Sequence, residues 1–325
     1  MLRRLFALPL IAVLWSVFGP TQATDLPPVG VHSARFANGL AVEVVGDPST
    51  AATVVVLLPG VATTAANFDR GLGGVQRRAP AWQARQLATR AADLHQPPSA
   101  ASPAASTAAG SVSPGPSSVA SPVGSSAASI AAGSGSPGRS TATSGAAASV
   151  GRRGGVAVIA WLGYHPPGGI RLDAVREDAA ASGADALLRF LRDVDAPRIV
   201  LVGHSYGSTV IGLAAARLDA GTGGRVTDIV ALGSPGMGVD RAADLRTTAR
   251  VWAGTAPGDW TRRLPGLRIL GAGHGTHPTD PAFGATPLPV EGVTGHDGYF
   301  VPGTASLDAL AALANGDLDA AARHS

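Results

Sequence analysis

The chain has 325 residues, 45% of them hydrophobic, enough for one sizeable core or two smaller ones. Its net charge is +3, and its 25 basic residues are all Arg, scattered with no basic stripe and interleaved aromatics, so a nucleic-acid partner is not expected. With no Cys, disulfides, Cys-based metal sites, a cysteine nucleophile and a lipidated N-terminal Cys are all excluded.

Residues 1–23 read as a secretory signal peptide. Arg3 and Arg4 form the positive start, Leu5 to Phe18 the apolar stretch, and Thr21-Gln22-Ala23 the small-residue cleavage site. An uncleaved N-terminal anchor is the alternative, against which Pro9 and Pro20 argue. Either form implies export, with the protein secreted or held at the cell envelope.

Ala41 to Val45 and Thr53 to Leu58 are β-branched, apolar runs separated by the turn Gly46-Asp47-Pro48-Ser49. The second leads into Pro59-Gly60-Val61, a loop whose backbone N–H at Val61 is a candidate oxyanion donor. Ala79 to Leu94 predicts a helix with Trp82, Leu87 and Ala91 along one side. Residues 97–151 are almost entirely Ser, Ala, Gly, Pro and Thr. So few large apolar side chains cannot offset the entropy of ordering, so a disordered insert is expected there. Residues 24–96 and 152–316 are then one domain interrupted by that insert, followed by a tail at 317–325.

Val156 to Leu162 predicts a strand, Leu172 to Val194 a helix, Asp228 to Leu232 and Arg250 to Gly254 two more strands, Pro287 to Val293 an edge strand, and Leu307 to Leu313 a closing helix. Strands alternating with helices indicate α/β architecture with a mostly parallel sheet, whose sites form beyond the carboxyl ends of the strands.

The chemistry centres on Arg198 to Leu218, RIVLVGHSYGSTVIGLAAARL. An apolar strand runs into Gly203-His204-Ser205-Tyr206-Gly207 and continues at helical spacing. Strand, sharp turn and helix are the context in which G-x-S-x-G marks a nucleophile elbow. Ser205 is the candidate nucleophile, and the N–H of Tyr206 the partner of Val61 in an oxyanion hole. A serine needs a base, and the base needs a carboxylate to fix its tautomer. On this fold the chain order is Ser, acid, His. Ser205, Asp259 and His296 satisfy it. His274 is a rival base and Asp240 a rival acid. Asp297 is too close to His296 in sequence to orient it from behind. No metal or organic cofactor is called for.

The ordered blocks VVGDPSTAATVVVLLPG, VAVIAWLGY, VGHSYGSTVIGLAA, VALGSPGMGV, HPTDPAFGA and GHDGYF resemble an actinobacterial α/β-hydrolase family long catalogued as a domain of unknown function. The resemblance spans Ala41 to Gly316 apart from the insert. It implies an α/β-hydrolase fold, a Ser205 nucleophile and a His296 base, and the turn in VWAGTAPGDW resembles the family's acid position at Asp259. Two departures stand out: the insert is unusually long, and His277 occupies a place where relatives tend to carry an acidic residue. The expected activity is that of an exported serine hydrolase acting on a small-molecule, lipid or cell-envelope ester. Acyl transfer through the same residues, or a catalytically silent envelope-binding protein, are the alternatives.

Overall fold

Alternation of side chains along apolar strands sends neighbours to opposite faces of a sheet, so a strand that is apolar at every position needs helices on both sides. In the computed structural model, described for residues 31–95, 154–169, 178–266, 268–269 and 272–322, this is how the core is divided. The predicted signal segment, the insert and the first residues of the 172–194 helix lie outside the described residues.

The strands are β1 (Val31–Arg35), β2 (Ala41–Val45), β3 (Thr53–Leu58), β4 (Val156–Leu162), β5 (Arg198–His204), β6 (Val226–Leu232), β7 (Arg250–Gly254), a two-stranded ribbon of β8 (Arg268–Ile269) and β9 (Ala272–Gly273), and β10 (Thr286–Pro287). Eight of them form one sheet in the order β1-β2-β4-β3-β5-β6-β7-β10. From β4 to β10 all pairings are parallel, whereas β2 is antiparallel to both β1 and β4. β3 and β4 pair directly, so chain on both sides of residues 97–151 enters the same sheet.

Val54, Val56 and Leu58 of β3 join one core cluster with Leu187 and Leu191 of helix α2 (Asp178–Asp193) and Val210 and Ile211 of α3 (Tyr206–Ala215). Val55 and Leu57 join the other, with Leu87 of α1 (Pro80–His95) and Leu310 and Leu313 of α5 (Ala305–Asn315). A short helix, α4 (Ala220–Gly223), precedes β6, and α6 (Leu318–Ala322) follows α5. The result is three layers, helix–sheet–helix.

One sequence expectation changes, and two elements lie where the sequence analysis places none. The edge strand predicted over 287–293 is only Thr286–Pro287: the Leu288 N–H still donates to the Ala253 carbonyl at 2.8 Å, and the chain then turns, the Val293 N–H closing on the Val290 carbonyl at 3.1 Å. Arg268–Ile269 pairs antiparallel with Ala272–Gly273 in a ribbon separate from the main sheet. β1 was not foreseen, since VHSAR lacks an apolar pattern. It is held by its pairing to β2 and by Ser33 and Arg35 bonding the buried Glu43 carboxylate.

The chain steps from β3 outward to β4, then crosses back to β5 on the other side of β3. This reversal leaves a crevice beyond the carboxyl ends of β3 and β5, where α/β sheets place their ligands.

Candidate active site

Between β5 and α3 the chain turns so sharply that Ser205 takes φ 55° and ψ −127°. A positive φ is costly for a residue with a Cβ and persists only when its surroundings impose it. They do so at two glycines. A Cβ on Gly203 would lie 2.5 Å from Ser208 Cα, and one on Gly207 would lie 2.4 Å from the Leu58 carbonyl oxygen. The Ser205 N–H donates to the Leu232 carbonyl at 2.8 Å, tying the turn to the edge of the sheet. Ser208 donates from Oγ to the Ser205 carbonyl at 2.5 Å and lies 2.6 Å from Ser234 Oγ. Tyr206 is the first residue of α3, where helix N–H groups point out along the axis.

The loop after β3 lies against this turn. A Cβ on Gly60 would come within 2.8 Å of Ser205 Cβ. Val61 follows, and then Ala62 at φ 61°, its N–H donating to the Pro167 carbonyl at 2.8 Å. Gly60, Val61, His204, Ser205, Trp260 and His296 all line one cavity of about 440 Å³.

His296 presents Nδ1 to both carboxylate oxygens of Asp259, each at 2.9 Å. The carboxylate accepts, so Nδ1 carries the proton and Nε2, at the far edge of the ring, is the basic nitrogen. Asp259 is buried, and it also accepts from Tyr299 Oη (2.6 Å), the Thr261 N–H (2.9 Å) and Thr261 Oγ1 (2.8 Å). Burial alone would raise the Asp259 carboxyl. The bonds from His296, Tyr299 and Thr261 outweigh it and hold the group well below the usual carboxylate range. Burial and the Asp259 bond push the Tyr299 hydroxyl up, so it stays a donor. Gly233, at φ 51° after β6, makes the room: a Cβ there would stand 2.5 Å from Asp259 Oδ2.

Residues 111–269 match the model of a family described as alpha/beta hydrolase. The match covers less than half of the chain and agrees with the elbow, the three layers and the strand order already described. The chain has the α/β-hydrolase fold.

Uncharacterized proteins of Mycobacterium tuberculosis and Mycobacterium bovis are 34% identical to this chain over 148 residues, 43% of the chain and 48% of each relative. The chain thus spans about half the length of the curated relatives it matches. Among solved structures, an arylesterase superposes with a TM-score of 0.39 at 11% identity, covering 96% of this chain and 91% of that one. An esterase of Pyrobaculum calidifontis gives 0.41 at 12% identity, covering 98% and 91%. Likenesses so distant carry nothing about substrate.

The fold brings Ser205 and His296 to one cavity and His296 to Asp259, and it leaves the rivals elsewhere. His274 packs edge-on against Tyr206, with ring centroids 5.7 Å apart. Asp240 is exposed. Asp297 lines the cavity beside His296 but pairs with Arg78 at 2.6 Å. His277 lies 2.7 Å from the Leu264 carbonyl through Nε2 and ties its loop there. His204 does more than pack locally. Its Nε2–H donates to the His296 carbonyl at 2.7 Å and its ring lies 4.7 Å from that of His296. Burial, reinforced by His296, lowers its pKa to about 4, so the ring is neutral at ordinary pH.

Sequence reasoning assigned no role to Tyr299, Thr261 or Trp260. Tyr299 lies within the GHDGYF block, yet nothing in that block shows that its hydroxyl returns to a carboxylate 40 positions earlier. Among the described residues no group of three or more His, Asp or Glu could hold a metal ion. Among them, too, no helix is long and apolar enough to cross a membrane.

Proposed function

We propose that this protein is a serine hydrolase that cleaves carboxylic esters through an acyl-enzyme. The observation that carries the reading is Ser205, held in a strained turn at the C-terminal edge of the sheet, facing the same cavity as a histidine whose other nitrogen is bound to a buried carboxylate. Ser205 Oγ attacks the acyl carbon while His296 Nε2 takes its proton. Asp259 stabilises the imidazolium that forms. The N–H groups of Tyr206 and Val61 receive the oxyanion, supported by the N-terminal end of α3. Collapse of the tetrahedral species breaks the ester C–O bond, and the alcohol leaves with the proton from His296. Water then repeats the sequence on the acyl-serine and releases the acid. Transfer to an alcohol in place of water would use the same residues; product analysis with and without an acceptor separates the two. Export to the cell envelope belongs to the same reading and rests on residues 1–23.

Treatment of the purified protein with a fluorescent fluorophosphonate, followed by mass spectrometry of the labelled peptide, tests it. Labelling is expected at Ser205, lost in Ser205→Ala and in His296→Ala, and kept in His274→Ala. A folded protein that takes no label would sink the reading and favour a silent binding role.

A further inference from the structure

One wall of the cavity is a short 3-10 turn, Gln76–Arg78, that follows the loop after β3. It carries two adjacent guanidiniums to the mouth of the site, Arg77 and Arg78, both of them lining the cavity. The turn is fixed from below. Gln83 of α1 is 2% exposed, and its Nε2 donates to the Arg77 carbonyl at 2.8 Å. The Ala79 N–H closes the turn on the Gln76 carbonyl. Arg78 is fixed from the opposite wall, its Nε 2.6 Å from Asp297 Oδ2. Arg77 makes no ion pair or hydrogen bond through its side chain among the described residues, and it is exposed. The acidic groups nearby do not cancel this charge. Among the described residues Asp297 is the one carboxylate lining the cavity and is already engaged by Arg78, while Asp259 is buried behind His296. Two guanidiniums against one carboxylate leave a net positive mouth above the serine.

A guanidinium presents a rigid fork of donors that fits carboxylates and phosphates, and it needs no titration to stay charged. Gln83 and Asp297 thus hold the backbone and the second side chain of the turn in place at the cavity. We infer that the ester turned over here carries an anionic group, a carboxylate or a phosphate, which Arg77 and Arg78 engage at the cavity mouth. This rests on the serine-hydrolase reading, and it adds what that reading leaves open, the class of substrate. The anion binds ahead of chemistry and orients the acyl carbon toward Ser205. Its contribution falls as salt screens a partly exposed site.

Two matched pairs of esters distinguish the sources of the charge. The p-nitrophenyl monoester of adipic acid is compared with p-nitrophenyl hexanoate, and butyryl glycerol phosphate with butyryl glycerol. The expected result is a kcat/KM about tenfold higher for the charged member of at least one pair, the size of one charge-assisted contact. The pair that responds names the anion. Arg77→Gln should bring the charged-to-neutral ratio down about tenfold, Arg192→Gln on the exposed surface should leave the ratio unchanged, and added salt should lower the ratio of the native protein. A ratio at or below one in both pairs, or one that ignores both Arg77→Gln and Arg78→Gln, overturns the inference while turnover itself upholds the hydrolase. Conversely, calorimetric binding of the adipic monoester to Ser205→Ala that is lost on adding Arg77→Gln, from a native protein that neither turns it over nor takes the fluorophosphonate, keeps the anion site and removes the hydrolase. A protein that shows neither the preference nor Arg77-dependent binding has no anion site at this mouth.

Discussion

Asp259 shows how much of an active-site side chain's character comes from its neighbours. It is buried, which disfavours its charge, yet its oxygens accept from His296, Tyr299 and both donors of Thr261. Tyr299 is the hinge of this arrangement, because its oxygen also accepts the Ala256 N–H at 3.0 Å. Tyr299→Phe therefore strips a partner from a buried carboxylate and an acceptor from a buried amide at once. The expected cost is about 2 kcal/mol of stability, read from urea unfolding, with the fold otherwise retained. A loss too small to measure would mean that water or a rearranged loop replaces the hydroxyl. His204 works in the other direction: neutral and buried, it joins strand β5 to the loop bearing His296 through one hydrogen bond.

At the scale of elements, helix α3 is buried along nearly its whole length and must approach both the sheet and the loop after β6. Two glycines permit this. Gly207 admits the backbone of β3, and Gly212 admits the loop, where a Cβ would lie 2.0 Å from the Met237 carbonyl oxygen. Gly212→Ala has no flexible side chain to displace, only backbone, so α3 must move away. A loss of about 3 kcal/mol is expected in thermal unfolding, together with weaker fluorophosphonate labelling as the elbow shifts. Leu187 of α2 tests the facing helix without touching the site. It is fully buried in the same core cluster, and Leu187→Ala should cost about 3 kcal/mol through the cavity it leaves while Ser205 remains reactive.

For the whole molecule, acid is the expected weakness. In the unfolded chain His204 takes a proton near its ordinary value of about 6.5, whereas in the fold it resists until about 4. The unfolded state therefore binds protons first, and stability falls as pH drops through that window. The size is about 3 kcal/mol, from the difference between the two values. Asp259 adds to this at lower pH, because its folded carboxyl lies below its unfolded value and its stabilising charge is lost on protonation. Urea midpoints measured from pH 8 to pH 4 should be flat above about pH 7 and fall below it, with His204→Gln removing much of the slope between about 6.5 and 4. A separate expectation concerns residues 97–151. The β3–β4 ladder and the packing of α1 are made by residues outside this stretch. Replacing it with a linker of about ten Gly and Ser residues changes only loop-closure entropy, about 1.5 kcal/mol, and should raise the melting temperature slightly. A protein that no longer folded would give the insert a structural role.

What the sequence determined by itself was whatever depends on neighbours along the chain. Apolar runs marked β2 to β7, helical periodicity marked α1 and α5, and G-x-S-x-G between a strand and a helix marked the elbow at Ser205. The order of Ser, acid and histidine narrowed the partners to a few candidates, because a parallel sheet delivers successive loops to one edge. Only the tertiary structure sets those candidates apart in geometry. His274 and His296 both follow glycine in loops beyond the strands. The distinction is that a Gly233 without Cβ leaves space for one imidazole to meet a buried carboxylate, while the other ring turns onto Tyr206. The same holds for Tyr299, which bonds a residue 40 positions away, and for Arg78, which pairs with Asp297 across 219. Contacts at such separations are set by how the layers close. No periodicity or local propensity carries that information, and so the contacts that Tyr299 and Arg78 make around the cavity emerge only when the chain is folded.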